Sequence, residues 1–181
     1  MTSTEPAVDP KRYPIGRFQP PAAFGPAERE AAIGQIERLP EQLRPALSGL
    51  SAAQLNTPYR DGGWTAQQVV HHLFDSHSMA HARFRLALTE DEPAIFAYKE
   101  SAWAELADAR SAPAQISLVL LDGLHRRWAW LLRALEPQQF QRAFRHPERG
   151  RMTLDENLAL YAWHGRHHTG HILGLRQRQG W

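Results

Sequence analysis

Apolar residues recur three or four positions apart in four long segments of the chain. At this spacing they share one side of an α-helix, so each segment is typical of an amphipathic helix. The segments begin near Pro26, after Thr65, after Pro113 and after Thr153. No stretch of any length alternates apolar and polar residues as a half-buried strand does. The pattern therefore predicts an all-α protein folded as a four-helix bundle.

Two of the helices carry recognisable start signals. Thr65 with Gln68, and Thr153 with Glu156, have the spacing of capping boxes, in which each side chain bonds the backbone N–H of the other residue. These boxes predict that the second helix starts after Thr65 and that the fourth starts after Thr153. We expect the second helix to reach about Thr89.

Prolines mark breaks in the helical pattern. Pro137 should end the third helix, and Pro40 and Pro45 should bend or interrupt the first, because proline lacks the N–H that a helix interior needs. Residues 91–108 should form a loop followed by one short helix. Residues 146–150 should form a loop before the fourth helix.

The first 25 residues differ in composition from the rest of the chain. Five prolines fall in residues 1–25, which predicts an extended arm that packs on the body through Tyr13, Ile15 and Phe18. Residues 26–181 would then form a single bundle domain, large enough to bury a core without cross-links.

Composition and charge exclude several classes of protein. The chain has no cysteine, which rules out disulfides, thiolate zinc sites and a cysteine nucleophile. Its net charge is only +2 and its arginines are scattered, whereas a nucleic-acid surface requires clustered positive charge. No apolar run is long enough for a membrane span, and Glu5 and Asp9 stand where a signal peptide would be apolar. We therefore expect a cytoplasmic protein that binds neither nucleic acid nor membranes.

Histidines are concentrated in residues 161–171, where four of the chain's ten lie. His164 and His168 are four positions apart, as are His167 and His171, and this spacing puts two imidazoles one turn apart on a helix, as in metal chelation. On a helical wheel, His164 and His168 fall on the inward side, whereas His167 points toward solvent. The alternative is a polar helix face whose histidines have no common role.

A metal site of this kind needs a third ligand from another helix. In the second helix His77 lies nearer the apolar centre than His72, and in the third helix His125 lies within an apolar stripe. His125 could equally be a core histidine bonded to a neighbour, so periodicity leaves the third ligand open. HExxH, repeated Glu-x-x-His, G-x-S-x-G and nucleotide-binding glycine loops are all absent from the sequence.

Several longer motifs together resemble the DinB superfamily, and specifically its YfiT-like branch. They are TPYRDGGWT at 57–65, VVHHLFDSH at 69–77, LTEDEPAI at 88–95, LHRRW at 124–128 and YAWHGRHH at 161–168. The resemblance covers nearly the whole chain, from residue 13 to residue 181. Members of this branch are called metal-dependent hydrolases and include bacillithiol S-transferases.

The resemblance implies an up-down-down-up bundle with one divalent ion per subunit, zinc or nickel. Its ligands would be His72, His164 and His168, so the resemblance selects His72 where periodicity favoured His77. It also implies an enzyme that acts on a small-molecule substrate and assembles as a homodimer.

Two reactions suit such a site. The ion could lower the pKa of a small thiol that attacks an electrophile, or it could activate water for hydrolysis. Hydrolysis normally needs a general base, and no carboxylate is evident, since Asp75, one turn from His72, could equally point outward. This favours thiol transfer. Tyr59, Arg60 and Asp61 could bind an anionic thiol cofactor, or could form only a structural salt bridge. A third possibility is a non-enzymatic protein that keeps the metal for stability.

Overall fold

The computed structural model describes residues 9–21 and 24–181 of the chain. Four long helices form the bundle that the apolar pattern predicted: α1 (Pro26–Leu47), α3 (Ala66–Thr89), α6 (Ala114–Arg133) and α7 (Leu154–Gln179). Between them lie the short helices α2 (Ala52–Leu55), α4 (Glu100–Ala104) and α5 (Ala107–Ser111), a 3-10 helix (Pro137–Gln141) and the strands β1 (Ala143–His146) and β2 (Gly150–Thr153). None of the described helices is long and apolar enough to cross a membrane.

Both predicted capping boxes form. The Thr65 hydroxyl accepts a hydrogen bond from the Gln68 N–H at 3.1 Å, and the Gln68 side-chain oxygen accepts one from the Thr65 N–H at 2.9 Å. Thr153 and Glu156 make the same pair of bonds at 3.2 and 2.7 Å. At the far end of α7, Gly180 has φ 69°, a left-handed conformation that favours glycine. The two boxes set where α3 and α7 start, and therefore which of their side chains face the bundle centre.

The first helix is not interrupted at its internal prolines, which was one of the two outcomes predicted for them. Pro40 and Pro45 both lie within the continuous helix α1. Each removes one backbone hydrogen bond, at a cost of about 3 kcal/mol. The helix persists because its inner face, including Ile36, Leu39 and Leu43, is buried in the bundle, where α1 packs on α6 and α7. Burial of such side chains contributes about 1.5–3 kcal/mol each, which offsets the loss.

A two-stranded hairpin takes the place of the loop predicted before the fourth helix. β1 and β2 pair in antiparallel register, with His146 opposite Gly150. Each strand has only four residues, too few for an alternating pattern to be recognised in the sequence. The chain before α4 docks beside this hairpin, because the Ile95 N–H donates to the Arg145 carbonyl at 3.0 Å. Two short helices, α4 and α5, follow where the sequence predicted one.

The core consists of two apolar clusters with buried histidines between them. Phe84 and Trp128 belong to one cluster, and Val69 and Leu118 belong to the other. α1 and α7 begin in the first cluster and end in the second, whereas α3 and α6 run the opposite way. The bundle is therefore up-down-down-up, as the resemblance implied. α3, α6 and α7 each carry histidines at the level where their apolar face passes from one cluster to the other.

Candidate metal centre

Three histidines from two helices converge at the middle of the bundle. His72 comes from α3, and His164 and His168 come from successive turns of α7. One ring nitrogen from each lies within 4.8 Å of the other two, and the Nε2 atoms of His72 and His164 are 3.3 Å apart. Gly165 lets α7 approach α1 closely here, since a Cβ at this position would lie 2.7 Å from the Leu39 side chain. The structure thus brings together the three residues that the resemblance named.

Burial keeps these three imidazoles neutral. It lowers the pKa of His72 to about 3 and holds the pKa values of His164 and His168 well below the ordinary 6.5, and neighbouring histidines lower all three further. Near neutral pH each ring therefore has one nitrogen with a free lone pair. Three neutral imidazoles form a donor set that suits zinc and nickel. The residues present therefore fit the divalent ion that the resemblance implies.

A hydrogen-bonded chain that ends on the N-terminal arm orients His168. Nε2 of His171 lies 3.1 Å from the carbonyl oxygen of Arg12, and because a carbonyl only accepts, this nitrogen carries the proton. Nδ1 of His171 is then the acceptor for the proton on Nδ1 of His168, 3.3 Å away. Nε2 of His168 is left unprotonated, which is the form that a metal ligand requires.

A second chain of histidines runs from His164 into the core. Nδ1 of His164 lies 3.2 Å from Nε2 of His77, and Nδ1 of His77 lies 3.0 Å from Nε2 of His125. With Nε2 of His164 turned toward an ion, each Nδ1–H donates to the next ring in turn. Burial lowers the pKa of His125 to about 4. The nearby carbonyl of Ile36, which has no helical N–H donor because residue 40 is a proline, acts in the opposite direction and raises this pKa. His77 and His125, the alternative ligands left open by periodicity, therefore lie behind His164, outside the convergent group.

The N-terminal arm covers α7 beside the site, and this corrects the prediction for His167. The helical wheel placed His167 toward solvent, but only 7% of this residue is exposed. Its ring stacks on Trp163, with centroids 4.4 Å apart, and contacts Tyr13 of the arm. A helical wheel considers α7 alone, whereas in the fold the N-terminal arm covers His167. Residues 1–8 and 22–23 of the predicted arm lie outside the described residues.

A cavity of about 1000 Å³ opens beside the three histidines. Tyr59 and Arg60, two of the three residues predicted to bind an anionic cofactor, line its wall. Tyr59 stacks on His171 with ring centroids 4.0 Å apart. Asp61, the third, is exposed and is not part of the wall. Trp64, which the sequence pattern did not distinguish, also lines the cavity.

The cavity continues along α7 to a second group of polar residues, here called the distal end. Its lining side chains are Arg83, Tyr98, Glu100, Glu148, Arg149 and Asn157. The two glutamates show that the cavity contains carboxylates that the sequence pattern did not reveal, although they lie at its distal end and not in the group of three histidines. Desolvation raises the pKa of Glu100, which comes from α4. Asp75, the carboxylate considered from the sequence, is half-buried and is not part of the cavity wall.

The sequence of the chain is similar to those of known proteins. A family model described as the DinB superfamily matches residues 35–172. A protein of Geobacillus thermodenitrificans named "Putative metal-dependent hydrolase" is 53% identical over 176 residues, which cover 96% of this chain and 98% of the relative. A similarly named protein of Bacillus mycoides is 50% identical over 170 residues, which cover 94% of this chain and 98% of the relative.

A solved structure shows the same fold. YfiT from Bacillus subtilis, described as a probable metal-dependent hydrolase with an unusual four-helix bundle topology, is 46% identical to this chain. The two superpose with a TM-score of 0.93 over 96% of this chain and 99% of YfiT. With the bundle and the histidine cluster, these likenesses show that the chain belongs to the DinB superfamily, within its branch of YfiT-like proteins named as metal-dependent hydrolases.

Proposed function

We propose that the protein is a metal-dependent enzyme that joins a small thiol, such as bacillithiol, to an electrophilic compound. The observation that supports this is a group of three neutral imidazoles beside a cavity whose wall includes arginines. A divalent ion held by His72, His164 and His168 would lower the pKa of a thiol bound beside it. In the reaction, the sulfur forms a bond to a carbon of the acceptor, the acceptor's leaving group departs, and the thiol proton passes to solvent.

The residues around the histidines suit an anionic thiol cofactor. Arg12 and Arg60 both line the cavity near His171. The Arg12 carbonyl bonds this ring, and the pKa of His171 is lowered by burial and further by the charge of Arg60. Guanidinium groups bind carboxylates through paired hydrogen bonds, so they could hold the acidic part of such a cofactor. Tyr59 and Trp64 provide aromatic walls beside His171 and His72. A cavity beside the histidines favours an enzyme over a protein that keeps the metal only for stability.

The test of thiol transfer is a direct assay. Protein loaded with zinc or with nickel is incubated with bacillithiol or another low-molecular-weight thiol and with a chlorinated aromatic acceptor, and the thioether is followed by mass spectrometry. We expect product that depends on both the metal and the thiol, and none with His164→Ala. Ester or amide hydrolysis that needs the metal, with no thioether from any thiol tried, would contradict the proposal.

Hydrolysis is the second candidate, because the distal end supplies the carboxylate that the sequence did not reveal. Glu100 lines the cavity and its pKa is raised by desolvation, as is typical of residues that exchange protons with a substrate. The names of the relatives also favour this reaction. In this case Glu100 would have to reach the reacting water through a bridging water, and Glu100→Gln should reduce metal-dependent hydrolysis while thiol transfer changes little.

We also propose that the protein is a homodimer. α6 packs on α1 and α3, yet it carries large apolar side chains that remain exposed: Ile116, Val119, Leu120 and Trp130. Trp130 is 80% exposed, and an apolar patch of this kind is typical of an interface with a second copy. Sedimentation at micromolar concentration should give twice the 20.6 kDa chain mass, and Trp130→Lys should shift the protein toward the monomer.

A further inference from the structure

Two polar side chains at the distal end are buried without the partners that burial normally requires. Only 1% of Asn157 is exposed, and within the described residues neither its amide nitrogen nor its amide oxygen has a hydrogen-bond partner. Only 7% of Arg83 is exposed, and it forms no ion pair with any residue in 9–21 or 24–181. Leaving such groups unpaired away from water is costly, so their burial at a cavity wall points to a ligand.

The guanidinium of Arg83 is only loosely held by the protein. Nη1 lies 3.4 Å from the Tyr161 hydroxyl oxygen and Nη2 lies 3.4 Å from the Phe96 carbonyl oxygen, both longer than the usual range of about 2.7–3.2 Å. Nε has no partner among the residues that the structure describes. A guanidinium has five N–H donors in a planar fork that matches a carboxylate. Most of this donor capacity therefore remains for an anion in the cavity.

The distal end lies on the same wall as the candidate metal centre. Asn157 and His164 both line the cavity from α7 and are seven residues apart, so their backbones are separated by about 10 Å. Glu148 and Arg149 are exposed and therefore screened by solvent, whereas the partly desolvated Glu100 interacts electrostatically with Arg83 without forming an ion pair with it in the described part of the chain. Arg83 is the most deeply buried of these charged side chains, so the distal end favours a negatively charged ligand.

We propose that Arg83 and Asn157 form a binding subsite for the carboxylate of a small molecule whose reactive part lies at the three histidines. The guanidinium would donate two hydrogen bonds to the carboxylate oxygens, and the Asn157 amide would donate one more. The distance between the carboxylate and the reacting atom would be about 10 Å. The identity of the reacting end rests on the proposed function, whereas the recognition of the carboxylate does not.

The test uses the full chain freed of metal and a matched pair of probes, 4-phenylbutyrate and its neutral amide. We expect the carboxylate to bind at least about 10-fold more tightly than the amide in an NMR titration, because hydrogen bonds to a charged group are the stronger ones. The side-chain NH₂ resonances of Asn157 should shift on binding. Arg83→Gln should abolish the preference for the carboxylate. Arg85→Gln, which removes the same charge from an exposed position on the same helix, should retain it.

A second variant keeps the test valid if Arg83→Gln does not fold. Asn157→Asp is nearly isosteric and places a negative charge at the subsite, so it should also abolish binding of the carboxylate. Equal affinity for both probes, or an equal loss in Arg83→Gln and Arg85→Gln, would overturn the subsite. Failure of every thiol-transfer assay with the carboxylate preference intact would overturn the proposed function alone.

Discussion

The two ends of the cavity are built in different ways. At the metal end, where His72, His164 and His168 converge, the candidate ligands lie within α3 and α7, helices of 24 and 26 residues. Further histidines, such as His77 behind His164, hold the rings in place. At the distal end, Arg83 and Asn157 also come from α3 and α7, but the other lining side chains come from the segment before α4, from α4 and from the turn of the hairpin. One end is built wholly by long helices, and the other combines these helices with short connecting segments.

In the proposed function, the chemistry takes place at the metal end and the distal end recognises the substrate. A metal ligand must be held within a fraction of an ångström, which packed helices can do. Recognition of a substrate tolerates more variation, and loops on a rigid scaffold commonly provide it. We therefore expect changes at the metal end to remove metal and activity together, and changes at the distal end to alter substrate preference while the metal stays bound.

The largest expected effect is loss of the metal. His72→Ala, His164→Ala and His168→Ala should each reduce the metal content of purified protein from about one ion per chain to near zero, because two imidazoles bind a divalent ion far more weakly than three. Inductively coupled plasma mass spectrometry of the purified variants measures this directly. Arg83→Gln and Asn157→Asp, at the distal end, should retain a full ion. If a distal variant lost the metal as completely, the two ends would not be separable.

The features that could be predicted from the sequence lie mostly at the metal end. Helices show a regular apolar spacing, so the four-helix bundle and the inward direction of His164 and His168 could be predicted from the spacing alone. The third ligand could not, because His77 and His72 both lie on the buried side of α3. Only the packing of α3 on α7 decides which of the two rings reaches the site. The choice of His72 came from the family resemblance.

The distal end could not be predicted, for a physical reason. Arg83 is followed by the similar, exposed Arg85, and nothing in the sequence distinguishes the buried arginine from the exposed one. Glu100 and Arg149 lie in short segments without a detectable period. The contact that docks the first of these segments on the hairpin, from the Ile95 N–H to the Arg145 carbonyl, joins residues 50 positions apart. Tertiary contacts of this kind leave no recognisable pattern in the sequence around either residue.

An intermediate effect is expected from the histidines behind the ligands. His77→Phe and His171→Phe remove the hydrogen bonds that orient His164 and His168, and loss of such a bond typically weakens metal affinity by about 10–100-fold. Competition with a chromophoric chelator gives the affinity, and the absorption spectrum of the Co²⁺ form reports the ligand geometry. Both should change in these two variants.

His167→Phe is the matched control for that experiment. His167 is buried and stacked on Trp163, but it makes no hydrogen bond to a ligand within the described part of the chain. Its replacement should leave the affinity and the Co²⁺ spectrum close to those of the wild type. Equal weakening in all three variants would mean that packing, and not the hydrogen bonds, holds the ligands.

The smallest expected effect concerns acid stability, and it contrasts His125 behind the metal end with His146 at the cavity's hairpin. Burial lowers the pKa of His125 to about 4, whereas an unfolded histidine titrates near 6.5. Between these values the unfolded chain binds more protons, so the free energy of unfolding falls as the pH falls. For this residue the loss between pH 7 and 5.5 is about 1 kcal/mol. Urea unfolding of metal-free protein should therefore show a decline over this interval that is about 1 kcal/mol smaller in His125→Gln than in the wild type.

His146 is the comparison. Its pKa is also lowered by burial, but its side chain is less fully buried than that of His125, so His146→Gln should reduce the decline by a smaller amount. An equal or larger change in His146→Gln would show that the histidines of the metal end are not the more strongly desolvated group.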